Sequence, residues 1–323
     1  MLQINRISLL FAILFSAASQ AQFTDVINSN RPGESMAAFS VGKTVIQAEL
    51  GFYAQDQKYD EINTESFGYG SDLMVRYGAF FEQLELILEL NYMTDKYETA
   101  RTSINQNGFR QLNIGAKYLV YDPNKNYDPK PNLYSWKANH SFKWRELIPA
   151  VGVYAGANIN LFDSPYINGQ EAPLSPKLMV ITQNQFGKWV FVTNIIGDKL
   201  ATSFMGFGYV ATLTRGFNPR WSGFIESQGY KDDFYSDNIF RLGAAFLIKE
   251  NIQVDASIGK NIKDTPSILN GGIGLSWRFD DNYEEVYLRV PTEAKDGDKE
   301  GKKDKKKNKK KRRDEVDVEA VPE

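Results

Sequence analysis

Charged and amide side chains recur at alternate positions within apolar segments of this 323-residue chain. Successive side chains of a strand point to opposite faces, so such residues would share one polar face. They could form ion pairs and hydrogen bonds with one another or with a small solute. The candidates are Gln47, Glu49, Asp72, Arg76, Glu85, Glu89, Lys117, Asn158, Asn160, Gln183, Glu226, Gln228, Arg241, Asp255 and Arg278.

Residues suited to catalysis or to metal binding are scarce. The only histidine is His140, flanked by Asn139 and Ser141, and the chain has no cysteine. Histidine is the usual general base near neutral pH, and zinc sites draw on histidine and cysteine. The sequence therefore predicts no catalytic residue, no metal site and no cofactor.

The segments that must position the polar residues alternate between apolar and polar side chains, which predicts β-strands. Ile46, Ala48, Leu50 and Phe52 alternate with Gln47 and Glu49 in the first segment, and the later segments repeat this pattern. Twelve strands are predicted, each long enough for a tilted membrane strand of about 9–11 residues. Their approximate ranges are 40–54, 67–80, 82–93, 109–121, 147–162, 175–186, 188–198, 203–215, 219–230, 237–249, 251–261 and 268–279.

An even number of two-faced strands favours an all-β fold, a single antiparallel transmembrane β-barrel. The apolar faces would contact outer-membrane lipid, and the polar faces would line the lumen. The last strand ends in the aromatic run Trp277-Arg278-Phe279, which favours the membrane. The alternative is a soluble twelve-stranded sandwich or sealed barrel, with the apolar faces inside.

The first 21 residues have the order of a secretory signal peptide. A segment with one positive charge, Met1 to Arg6, precedes an apolar run, Ile7 to Phe15, and small residues follow up to Ala21. We expect cleavage between Ala21 and Gln22. The alternative, an N-terminal membrane anchor, would need a longer apolar run to cross about 30 Å of hydrocarbon.

Residues 22–38 precede the barrel, which is predicted over 39–280. Their polar and turn-forming residues would suit a polar lumen, so Asn30, Arg31 and Pro32 could fold inward as a plug that docks on Glu49 or Glu85. A periplasmic extension is the alternative. One connection, 122–146, is long although its position predicts a short periplasmic turn.

Residues 281–323 form a charged tail with a lysine-rich block between Glu300 and Arg313. A segment with so little apolar content is predicted to be disordered. In the periplasm it could contact a periplasmic or outer-membrane protein, and no nucleic acid is expected there. A merely solvated tail is the alternative.

Two stretches resemble an outer-membrane β-barrel family catalogued as transporters of the phenol meta-pathway type. The first is Asn30-Arg31-Pro32-Gly33-Glu34-Ser35, followed by Phe39 to Lys43 and the strand Ile46 to Phe52. The second is Asp255 to Gly259 with Gly271-Gly272-Ile273-Gly274-Leu275-Ser276-Trp277-Arg278-Phe279, and Leu147-Ile148-Pro149-Ala150 is also similar. The family commonly has Asp where Asn30 stands. The resemblance covers about 25–280 and implies an outer-membrane barrel.

Two functions follow as hypotheses. The first, which the resemblance favours, is a channel or transporter for small solutes, apolar ones included, in the outer membrane. Charges of both signs line the predicted lumen, so they could instead pair and keep it closed. The second hypothesis is a non-transporting barrel subunit of a larger outer-membrane assembly, with the tail and the long link as periplasmic contacts.

Overall fold

The computed structural model describes residues 27–125, 144–160 and 163–280. The predicted signal peptide, His140, most of the long link and the charged tail lie outside these residues. The strands are β1 (Ile46–Tyr59), β2 (Thr64–Gly78), β3 (Leu84–Thr99), β4 (Ser103–Tyr121), β5 (Ala150–Ile159), β6 (Leu174–Phe186), β7 (Trp189–Asp198), β8 (Gly206–Gly216), β9 (Trp221–Lys231), β10 (Ser236–Lys249), β11 (Ile252–Asn261) and β12 (Ser267–Phe279). Two short 3₁₀ helices cover Asp60–Ile62 and Trp144–Leu147.

The twelve strands form one closed antiparallel barrel in which each pairs with its neighbours in sequence. Closure comes from β1 and β12, whose register runs from Ile46↔Phe279 to Lys58↔Ser267. Both chain termini of the barrel therefore lie at the same end, which we call the terminal end, and the opposite end is the far end. The predicted all-β barrel of twelve strands is confirmed.

Alternation places apolar side chains outside the barrel and polar ones inside. Ile225 and Ile273 are 61% and 63% exposed on the outer wall, whereas Gln47 and Arg76 are fully buried within. Exposed aromatic residues at the terminal end include Trp189, Trp221, Trp277 and Phe279. An apolar band bordered by aromatic side chains is the surface that lipid requires, and it contradicts the soluble alternative.

The strands are longer at the far end than the sequence pattern predicts. The expected loops 55–66 and 94–108 are largely strand, and only 60–63 and 100–102 connect β1 to β2 and β3 to β4. Polar residues occupy both faces of these extensions, which removes the period-two signal. The longest connection at the far end is 160–173, between β5 and β6.

A buried apolar cluster lies inside the barrel rather than between layers. It joins Met36 and Ala38, which precede β1, to inward-facing Ile87, Leu119, Ala150, Tyr154, Met179 and Ile181. A segment of chain must therefore fill this half of the lumen. No helix among the described residues is long and apolar enough to cross a membrane.

Candidate functional site: the lumen

Residues 27–45, here called the lumen segment, lie inside the terminal half of the barrel. Backbone N–H groups of this segment donate to side chains of the wall around most of the circumference. Met36 N–H donates to Asn194 (2.6 Å), Ala38 N–H to Gln183 (2.9 Å) and Val41 N–H to Glu85 (3.0 Å). Between Ile27, whose N–H donates to the Glu250 carbonyl, and Thr44, whose N–H donates to the Gly78 carbonyl of β2, the wall side chains thus satisfy much of the segment's backbone.

Glu49 binds the start of the lumen segment. Its carboxylate accepts hydrogen bonds from the Ser29 hydroxyl (2.9 Å), Asn30 N–H (3.1 Å) and Arg31 N–H (3.2 Å). These three hydrogen bonds hold the start of the lumen segment firmly, because hydrogen bonds to a charged carboxylate are stronger than those between neutral groups. Asn30 and Arg31, two of the three predicted plug residues, therefore contact Glu49 by their backbone.

The Arg31 side chain lies against the barrel wall. Its guanidinium pairs with Asp72, and its Nε lies 3.5 Å from Asp255. A Cβ added at Gly51 or Gly274 would overlap this guanidinium, so these two glycines leave the space that it occupies. Charge and shape together fix the side chain between β1, β2, β11 and β12.

Four fully buried charges form a cluster against the lumen segment. Arg76 donates to Glu85 (2.6 Å) and to Glu49 (3.0 Å), and Lys117 lies 3.2 Å from Glu85. Lys117 also donates to the carbonyls of Ala37 (2.9 Å) and Phe39 (3.0 Å). Two acids and two bases balance, which is what allows charges to be buried at all.

A second cluster holds the middle of the segment. Glu226 pairs with Arg241 and accepts hydrogen bonds from Glu34 N–H (3.0 Å) and the Thr212 hydroxyl (2.7 Å). Arg241 also lies 3.6 Å from Glu34. The segment is thus tied to opposite walls, and the terminal half of the lumen is filled.

The far half of the lumen is hollow. A cavity of about 370 Å³ lies above Arg31 and Glu34, and a second of about 450 Å³ reaches the far-end residues Tyr166 and Lys199. Both are lined by Asn91, Arg110, Gln111, Lys177, Ile196 and Gln228, which therefore surround their junction. The lumen is a polar vestibule above a filled base.

The predicted lumen residues divide between these two regions. At the base lie Gln47, Glu49, Arg76, Glu85, Lys117, Gln183, Glu226, Arg241, Asp255 and Arg278. Of these, Glu49 and Arg241 also border the cavity above Arg31 and Glu34. Around the cavities lie Asp72, Glu89, Asn158, Asn160 and Gln228. Their functional roles remain predictions. Among the described residues no cluster of His, Cys, Asp or Glu could hold a metal ion, and the absence of catalysis stays a prediction.

Several cavity residues escaped the sequence analysis, and Tyr166 and Arg110 are two of them. Tyr166 stands in the β5–β6 connection, where its hydroxyl donates to Asp95, and burial together with this carboxylate raises the pKa of Tyr166. Arg110 stands in β4, where strict alternation would turn it away from the lumen. The only sequence signal for Arg110 is the pair Arg110-Gln111, two adjacent polar residues that interrupt the alternation.

Comparisons with known proteins agree with the barrel. The family model described as "Putative MetA-pathway of phenol degradation" matches residues 29–279. None of the curated proteins compared with the chain matches it. The COG4313 outer membrane channel from Pseudomonas putida F1 is 12% identical, with a TM-score of 0.52 over 78% of this chain and 100% of that one.

Two further solved barrels are less similar. The NanC porin is 10% identical, with a TM-score of 0.46 over 71% of this chain and 98% of that one. The translocator domain of the autotransporter NalP from Neisseria meningitidis is 9% identical, with a TM-score of 0.44 over 73% of this chain and 88% of that one. The similarity to the COG4313 channel shows the fold of an outer-membrane β-barrel.

Proposed function

The chain belongs to the family described as "Putative MetA-pathway of phenol degradation", and from this premise we propose that it is an outer-membrane channel for small solutes, apolar ones included. The resemblance predicted from its two terminal motifs is confirmed by the family match. In such barrels the chain termini face the periplasm, so the far end opens outward.

The observation that carries the proposal is the hollow far half of the lumen. Cavities of about 450 and 370 Å³ share a ring of lining residues and lead from the far-end loops down to Arg31 and Glu34. Ligand sites typically have volumes of about 300–1,000 Å³. A small solute therefore fits, and its further path is blocked by the lumen segment.

We propose that the lumen segment is a plug whose displacement opens the path. From Asn30 to Val41 the segment is held by hydrogen bonds between its backbone and wall side chains, and among the described residues its backbone bonds to β2 occur only at Thr44 and Val45, so this part can leave without breaking the barrel. The bonds to Glu49, Asn194 and Glu226 would be exchanged for water. Individually such exchanges cost about 0.5–1.5 kcal/mol, or more where a charge is involved.

A reversible tether tests this proposal. The chain has no native cysteine, and a Cβ built at Gly152 lies 3.6 Å from Ala38 Cα, close enough for a disulfide between the lumen segment and β5. The double variant A38C/G152C would be placed in liposomes, and swelling in sorbitol, which does not cross lipid unaided, would be recorded. We expect oxidation to slow swelling and reduction to restore it.

The two single variants, A38C and G152C, control for the substitutions themselves. Redox-independent swelling with the disulfide formed would mean that solutes bypass the segment. No swelling in any form, including the charge reversal Arg31→Glu, would contradict the channel proposal.

The filled base is also the observation that favours the alternative, a non-transporting subunit of a larger assembly. The tail and most of the link on which that alternative depends lie outside the described residues. Purification from outer membranes in mild detergent tests it. A stoichiometric complex that is lost on deleting 295–323 would favour the subunit, and recovery of the barrel alone would favour the channel.

A further inference from the structure

One residue of β4 interrupts the pairing with β3. Asn91 pairs with Gln111 and Tyr92 with Phe109, so Arg110 has no partner in β3 and forms a β-bulge. A bulge adds one residue to one strand and re-aims the neighbouring side chains. The alternation of β4 therefore shifts at this position.

The shift turns Arg110 toward the lumen. Gln111 and Asn113 face inward, and uninterrupted alternation would place Arg110 on the lipid side and Phe109 inside. Instead Phe109 contacts Tyr92 ring to ring on the outer face, 5.4 Å between centroids, while Arg110 lines both cavities. The bulge thus exchanges an aromatic side chain for a cation at the junction of the two cavities.

The guanidinium of Arg110 has only uncharged acceptors. Its Nη1 donates to Gln55 Oε1 (3.2 Å) and approaches Met93 Sδ (3.7 Å). The nearby Asp95 is engaged by the hydroxyls of Ser66 and Tyr166 instead. Within the part of the chain that the structure describes, no carboxylate oxygen lies within 4.0 Å of Arg110.

The other cations that line the cavities each have a carboxylate partner. Arg31 pairs with Asp72, Arg241 with Glu226, Lys177 with Glu89 (3.7 Å) and Lys199 with Glu171 (2.7 Å). One acid, Asp198, also lacks a cationic partner among the described residues. It accepts a hydrogen bond from Asn158 (2.7 Å) and lines only the outer cavity, the one that reaches Tyr166 and Lys199. The inner cavity is the one above Arg31 and Glu34. At the junction itself the net charge is therefore positive.

We propose that Arg110 determines the specificity of the lumen, by binding solutes that carry a carboxylate at the junction of the two cavities. This inference rests on the proposed channel function and names the solute class. A guanidinium offers two parallel N–H donors to a carboxylate, and Nε and Nη2 of Arg110 have no acceptor among the described residues. Asn91 and Gln111 adjoin it in the pairing of β3 with β4, and Gln228 on β9 lines the same two cavities; all three are hydrogen-bonding groups.

Aromatic side chains near the junction extend the fit. Tyr53 lines the inner cavity and donates to Asn91 (2.8 Å), and Tyr166 lines the outer cavity. A ring-bearing carboxylate could therefore place its charge on Arg110 and its ring beside a tyrosine. Both features suit a small aromatic acid better than a neutral hydrocarbon.

The test compares matched anionic and neutral probes. Swelling of liposomes containing the full chain would be measured in gluconate and in sorbitol, which differ mainly by the carboxylate. Binding of benzoate and benzamide to the detergent-solubilised protein would be measured by calorimetry. We expect preference for the anion in both assays, and Arg110→Gln to reduce it roughly tenfold, as for the loss of a hydrogen bond to a charged group.

Two variants control the comparison. Lys96→Gln removes a cation from the outward face of β3, where it pairs with Glu98, and should leave the preference unchanged. Arg110→Lys keeps the charge and should retain a measurable preference even if Arg110→Gln fails to fold. A preference equally lost in Arg110→Lys would overturn the assignment to charge.

Failures of the inference and of the channel proposal have different signatures. If wild type binds benzoate selectively but liposomes do not swell, the channel proposal fails and the binding site stands. If both solutes pass and neither the preference nor the binding changes in Arg110→Gln, the channel stands and Arg110 is not its specificity residue.

Discussion

At the scale of single residues, Arg31 shows how glycine and charge together place a side chain. Its guanidinium contacts Asp72 and Asp255, and it fits because Gly51 and Gly274 carry no Cβ. The sequence predicted that Arg31 would reach an acid of the wall and named Glu49 or Glu85. In the structure Glu49 binds the backbone at Arg31, and the side chain reaches two other acids.

Gly274→Ala should therefore displace the Arg31 guanidinium without unfolding the barrel, because the end of a flexible side chain can move. We expect single-channel current to rise, as the lumen segment loses its contact with Asp255. The same substitution in an Arg31→Ala background should add little, since the two changes act on one contact.

Gly271→Ala is the matched control for Gly274→Ala. It lies in the same strand, and its added Cβ would meet only the Ser257 carbonyl at 3.6 Å, an ordinary contact. If both Gly274→Ala and Gly271→Ala give the single-channel current of wild type, Arg31 does not restrain the lumen segment.

At the scale of elements, the inward faces of β1 to β4 form a network that no single strand reveals. Glu49, Arg76, Glu85 and Lys117 come from four different strands and are each almost fully buried. Register sets their contacts, since Gln47 pairs with Arg76 and Glu85 with Lys117 across neighbouring strands. Both the lumen segment and the barrel wall depend on this network.

Glu85→Gln should destabilise the barrel, because it leaves Arg76 and Lys117 facing one remaining carboxylate. Breaking a buried ion pair by removing one partner costs about 3–5 kcal/mol. Urea unfolding in lipid vesicles would measure the change in unfolding free energy. Lys96→Gln, on an exposed pair, should unfold like wild type, and an equally small effect of Glu85→Gln would mean that water relieves the buried charges.

At the scale of the whole molecule, the barrel is inside-out compared with a soluble protein. Its charges and its lumen segment are enclosed, and its outer wall carries exposed Ile, Leu, Phe and Trp side chains. Lipid removes the cost of that surface, since apolar side chains facing hydrocarbon are no longer in water. Transfer of this apolar wall into the membrane therefore contributes to the free energy of folding.

Ile225→Arg tests the lipid-facing surface. Ile225 is 61% exposed in the middle of β9, and an arginine at the bilayer midplane costs about 2–4 kcal/mol in membrane barrels. Ile262→Arg, equally exposed but beyond the end of β11, should cost much less. Equal and small effects in vesicle unfolding would contradict membrane insertion at this depth.

The sequence by itself determined the number of strands, the face each presents and the closed architecture. Period-two alternation indicates which side chains face lipid and which face the lumen, and it can be identified without knowledge of any contact. The pattern disappeared where β1 to β4 extend at the far end, because both faces there carry polar residues. The family was evident from its terminal motifs, the Arg31-Pro32-Gly33 turn and the glycine-rich β12.

Only the tertiary structure decided which charges pair, how the lumen segment lies and where a cation stays unpaired. Ion pairs such as Arg76–Glu85 arise between strands, so they depend on register, which composition does not encode. The inward turn of Arg110 depends on one unpaired residue between Tyr92↔Phe109 and Asn91↔Gln111. A single-residue shift reverses the faces of a strand, and only the pairing of β4 with β3 reveals that shift.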